Sequence, residues 1–117
     1  MDLTENYETL ANAIIIRAAK DYRASRTYLK NHPKTDELVA TVKKQKELRK
    51  KRREKREALG LPEVKEPRTR EEQQLSRIRY AEKMQKDTER FFRSQWFCQL
   101  SEADGKALLK KLEEEYA

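Results

Sequence analysis

The chain has 117 residues, with 28 Lys and Arg against 21 Asp and Glu, a formal net charge of +7 and a hydrophobic fraction of only 36%. That length fits one domain with a modest core and argues against two separate cores, while a charged fraction of 42%, against a usual quarter, requires that much of the helix surface be solvated. Two glycines and three prolines leave few turns, and the abundance of Ala, Leu, Glu, Lys, Arg and Gln favours helices and speaks against a sheet.

In chain order, the first helix is expected from a cap at Thr4 to about Lys30, because Tyr7, Leu10, Ala11, Ile14, Ala18, Tyr22, Ser25 and Leu29 recur at helical spacing. Asn31, His32 and Pro33 end it, since a residue before proline is pushed out of the helical region. A second helix is predicted from Thr35 or Asp36 to Leu59, with Gly60 as its C-terminal cap and Pro62 preventing extension. Its first turns carry Leu38, Val39 and Val42, but the apolar periodicity fades beyond Leu48. Residues 60–68 read as a connector.

The third helix has a start signal in Thr69 followed three residues later by Glu72, the pattern of a capping box. Its seam is thin at Leu75 and Ile78, heavy at Phe91 and Phe92, and is expected to continue through Gln95 and Trp96. A last helix is predicted from Glu102 to about Glu115, capped by Ser101 with Asp104 in the capping-box position, and with Ala103, Ala107, Leu108 and Leu112 facing inward. Gly105 is expected to weaken it by about 1 kcal/mol relative to alanine. These stripes imply a single all-α domain over residues 1–117: a small helical bundle with a projecting antiparallel helical hairpin, coiled-coil-like, as an arm with its tip at residues 60–67.

The most informative feature is the basic run at residues 43–56. Lys43, Lys44, Lys46, Arg49, Lys50, Lys51, Arg52, Arg53, Lys55 and Arg56 are ten cations against Glu47 and Glu54, a net +8. The rest of the chain therefore sums to about −1, and the basicity is a local device. A helix so charged presents cations to phosphates and releases their counterions, giving salt-sensitive binding that is indifferent to sequence. The candidate nucleic-acid contacts are Lys43, Lys44, Lys46, Arg49, Lys50, Arg52, Arg53, Lys55 and Arg56. The competing reading is a solvated face partly neutralised by Glu71, Glu72, Glu82, Asp87 and Glu89; an acidic protein surface is a further candidate ligand. A membrane is disfavoured because residues 49–56 have no apolar face.

Phe91, Phe92, Trp96 and Phe97 are expected to close the core of the bundle. Phe91 and Phe92 cannot both face one way, so Phe92, with Arg93 and Trp96, is the candidate partner-binding group. Tyr22, Arg23, Arg26 and Tyr28 are read as side chains that cover the core with their apolar bodies. Nothing stands at catalytic or metal-binding spacing. His32 is the single histidine and sits in a turn, Cys98 is read as a small buried hydrophobe without a general base, and no glycine-rich phosphate loop occurs, so no enzyme, cofactor or metal is expected. The lone cysteine fits a reducing compartment, the longest apolar run spans only residues 13–16, and a signal-peptide layout is absent, which together predict a cytoplasmic protein.

Two segments, ANAIIIRAAKDYRASRTYLKNHP at residues 11–33 and ERFFRSQWFCQLSEADGKALLKKL at residues 89–112, resemble a recurrent type of small uncharacterised helical protein in phages and prophages of Gram-positive bacteria. The resemblance covers less than half of the chain; similar proteins have a short helix between the two blocks, so residues 43–79, with the basic run, look like an inserted basic helical hairpin arm that inherits no family role. It implies a phage accessory protein of the bacterial host cytoplasm, serving host takeover, replication or anti-defence, without an activity for any residue. The resulting expectation is a non-enzymatic, nucleic-acid-binding accessory protein. The alternative is an inhibitor or adaptor that binds a host defence or replication factor. The thin seam of the arm also allows pairing with its copy in a homodimer.

Overall fold

The computed structural model describes residues 3–116, with side chains from residue 6 onward. It contains five helices and, among the described residues, no strand: α1 (Leu3–Asn31), α2 (Asp36–Ala58), α3 (Arg70–Phe92), α4 (Gln95–Leu100) and α5 (Gly105–Glu114). The all-α class is as expected. The cap assigned to Thr4 lies outside the described side chains. The chain divides into two compact units, residues 1–31 with 80–117 and residues 32–79, the division falling within α3.

The first unit is a bundle of α1, the second part of α3, α4 and α5. Tyr22, Phe92, Phe97, Leu109 and Leu112 form its buried cluster, and Ile15, Ala18, Ala19, Phe91, Leu108 and Tyr116 pack around it. Phe97 is the hub, its ring centroid 5.6 Å from Phe91 and 5.7 Å from Phe92. On α1 the inward stripe keeps Ala11, Tyr22 and Ser25, while Tyr7 and Leu10 are exposed. The Tyr7 hydroxyl instead donates to the Gln99 carbonyl at 3.0 Å. The end of the described chain is held against α1 as well, because Arg23 grips Glu115 through two hydrogen bonds of 2.9 and 3.0 Å and the Tyr116 hydroxyl donates to the Arg23 carbonyl. The Arg26 guanidinium lies over the rings of Tyr22 and Tyr116 and covers the core at that edge, whereas Tyr22, expected at the edge, is itself a fully buried member of the core.

Three sequence expectations are corrected in this unit. The third helix does not run through Trp96: it stops at Phe92, and the Ser94 hydroxyl accepts the Phe97 N–H at 3.2 Å to start a separate helix, α4. The last helix does not begin at Glu102. Asp104 is its N-cap, accepting from Lys106 and Ala107, because one carboxylate satisfies two free donors where Ser101 reaches only Ala103. With that start, Leu109 turns inward while Ala103 and Ala107 are exposed. Gly105 is not a weak interior position but a required one. It is buried as the first helical residue, and a Cβ there would collide with the Phe92 carbonyl oxygen and stand 2.8 Å from Phe97 Cδ1.

The second unit is an antiparallel hairpin of α2 and the first part of α3. The Thr35 hydroxyl caps α2 by accepting the Leu38 N–H at 3.1 Å. At the far end Gly60 adopts φ +67, and Gly60 and Leu61 donate back to the carbonyls of Glu57 and Arg56, the six-to-one closure that glycine permits. Thr69 caps α3 by accepting the Glu72 N–H at 3.1 Å. The reciprocal half of the expected capping box is not used, because the Glu72 carboxylate turns to α2. Val42, Leu75 and Ile78 are the buried apolar residues of this unit.

Candidate nucleic-acid interface

Along α2 the stripe that begins with Leu38 and Val42 continues at spacings of three and four residues as Gln45, Arg49, Arg52 and Arg56. Each polar member is engaged within the hairpin. Gln45 Nε2 donates to Glu71 at 3.1 Å, and its oxygen accepts from the Thr69 hydroxyl. Arg49 makes a two-pronged pair with Glu72, Nη1 to Oε2 at 2.9 Å and Nη2 to Oε1 at 2.6 Å, and Nη2 also reaches the Pro67 carbonyl at 3.3 Å. Arg52 holds Glu66 through Nε and Nη2, both at 2.9 Å, and Arg49 Nε lies 3.4 Å from the same carboxylate. Arg56 Nη1 donates to the Pro62 carbonyl at 3.3 Å.

The electrostatics follow this pattern. The Arg49 guanidinium holds the Glu72 carboxyl below the usual glutamate range, and Arg52, helped by Arg49, does the same for Glu66. Hydrogen bonds to these carboxylates raise both guanidinium groups in turn. The Glu72 side chain is only 6% exposed, so its charge depends on the fork from Arg49. Planar arginine suits this inward task, whereas the compact ammonium of lysine keeps its hydration.

The structure thus divides the basic run. Arg49, Arg52 and Arg56, assigned from sequence to phosphate, are held by their own hairpin. Lys46 lies close enough to Glu72 to lower that carboxyl. Lys43, Lys44, Lys50, Lys51, Arg53 and Lys55 are exposed, and none makes an ion pair or a side-chain hydrogen bond among the described residues. Lys51, left out of the sequence assignment, belongs with them. Arg53 borders an open groove of about 570 Å³ between α2 and the connector, which Arg49, Arg52, Arg56, Leu61, Val64 and Glu66 also line.

The second candidate group is separated by burial. Phe92 is 2% exposed and belongs to the core, so it is not a surface residue. Trp96 is 53% exposed, its ring set edge-on against Phe91 at 5.2 Å, and Arg93 is exposed with Nη2 3.9 Å from Glu113. Cys98, expected to be buried, is exposed, because α4 turns Phe97 inward and leaves its neighbour outside. Among the described residues no cluster of His, Cys, Asp or Glu is placed to hold a metal ion, and no helix is long and apolar enough to cross a membrane. No family model, curated protein or solved structure matches the chain.

Proposed function

We propose that this chain is a non-enzymatic accessory protein that binds nucleic acid through phosphate contacts from the solvent side of α2. The observation that carries this reading is the division of the basic helix: its arginine stripe holds the hairpin together, and six cations are left exposed without partners among the described residues. The structural pairs neutralise Arg49 and Arg52 but leave the lysines facing water, where a polyanion is the ligand that gains most by counterion release. The resemblance to small phage proteins supports an accessory role in the host cytoplasm.

The test is fluorescence anisotropy with labelled oligonucleotides across a salt series. Engagement of all six free cations gives a slope of log affinity against log salt of about −5. Replacing Lys43, Lys44, Lys50 and Lys51 with Gln should flatten that slope and leave helicity unchanged; tight binding by this variant at low salt would remove the reading.

A second reading, an inhibitor or adaptor for a host defence or replication protein, is favoured by the exposure of Trp96 and of Arg93 three residues before it, residue types that anchor protein interfaces. A complex that survives physiological salt and is lost in Trp96→Ala would select it.

A further inference from the structure

Resting on the nucleic-acid reading, the distribution of charge around α2 identifies a particular ligand form. Successive residues turn by about 100° around a helix. Taken from the inward stripe of Arg49, Arg52 and Arg56, the far side of α2 resolves into three rows. Lys43 and Lys50 stand on one flank, and Lys44, Lys51 and Lys55 on the other. Glu47 and Glu54 stand between them, and all seven side chains are exposed.

We infer that α2 lies in the major groove of B-form duplex DNA, each lysine row meeting the phosphates of one strand. The dimensions agree: a helix with its side chains is about 10–12 Å across, and the groove is about 12 Å wide. One row runs about 10 Å along the axis and the other about 16 Å, the rises of seven and eleven residues. A single strand laid along the middle of this face meets the two carboxylates, whereas two strands on the flanks avoid them. Single-strand binders also need rings on which bases stack, and residues 32–79 contain no Phe, Tyr or Trp. The minor groove of B-DNA, about 6 Å wide, is too narrow for a helix, and the major groove of duplex RNA is too deep and narrow for side chains to read. The far side carries no Arg, Asn or Gln to grip purine edges, so the phosphates hold the duplex and sequence preference is weak.

The experiment compares duplex DNA, duplex RNA and single-stranded DNA of one sequence at low salt, with the full chain and with two variants, Lys43→Gln/Lys50→Gln and Lys44→Gln/Lys51→Gln, whose helicity is checked by circular dichroism. The expected result is preference for duplex DNA and a reduction of the salt slope by about 2 in each variant, because the rows grip opposite strands. Equal or tighter binding of duplex RNA or single strands, or a loss confined to one row, overturns the groove inference and leaves nucleic-acid binding standing. No binding to any of the three overturns the function itself.

Discussion

The bundle and the hairpin solve the same problem with different materials. Around Phe97 the bundle buries five large side chains against one another, so its cohesion comes from the removal of apolar surface from water. The hairpin has Val42, Leu75 and Ile78, and past Val42 its seam passes to Gln45, Arg49 and Arg52 with their partners on the connector and α3. A helix with 13 Lys, Arg, Asp and Glu among residues 43–57 cannot close an apolar seam, and pairing its arginines is the available alternative. Charge thus serves two purposes on one helix, cohesion on the inner side and, as proposed, binding on the outer.

The largest losses of stability are expected in the bundle. Phe97→Ala removes the hub ring and should cost about 3–5 kcal/mol, read as a shifted urea midpoint; a loss below about 1 kcal/mol would show that the cluster does not hold this unit. Next comes Gly105→Ala. Here a better helix former should destabilise by about 1–3 kcal/mol, since its methyl must displace the Phe92 carbonyl and the Phe97 ring, and stabilisation would mean that the contact is loose.

The hairpin should respond instead to pH and to the loss of either partner. Glu66 and Glu72 have folded-state carboxyls held below the ordinary value of 4.5, so the unfolded chain binds their protons more readily. Their stabilisation is full above about pH 4.5 and is lost as pH falls through the lower folded values. The protection of α2 amides against hydrogen exchange, taken relative to the intrinsic rate at each pH, should therefore fall below pH 4.5, and Glu72→Gln should weaken that dependence while lowering protection already at pH 7. The smallest effect belongs to Arg23→Ala, which removes a pair in solvent at Glu115; a melting shift of no more than a few degrees is expected.

Much of this was legible in the residues. Thr35 and Gly60 bound α2 because their chemistry acts locally, through a hydroxyl on one free N–H and a left-handed turn without a Cβ. The end of α3 was not legible, since no Gly or Pro marks Arg93 and Ser94, and the apolar spacing through Phe91, Phe92 and Trp96 fits a longer helix equally well. Asp104 competes with Ser101 as a cap; Asp104 satisfies two free donors, and its choice also seats Gly105 against Phe92, a contact far along the chain. At the candidate interface the basic run was visible, but its division depends on acids 14 to 23 residues away. One local signal pointed to it: Arg49, Arg52 and Arg56 extend the spacing of Leu38, Val42 and Gln45, and the outer rows are lysine.

The central claim is that this division separates cohesion from binding, and paired variants test it most directly. One replaces Lys43, Lys44, Lys50 and Lys51 with Gln, the other Arg49 and Arg52, and each is measured for duplex DNA affinity at low salt and for hydrogen exchange of α2. The lysine variant is expected to lose DNA binding with exchange unchanged, and the arginine variant to exchange faster across α2. A lysine variant that binds as the parent does, or an arginine variant that loses binding with α2 fully protected, would contradict it.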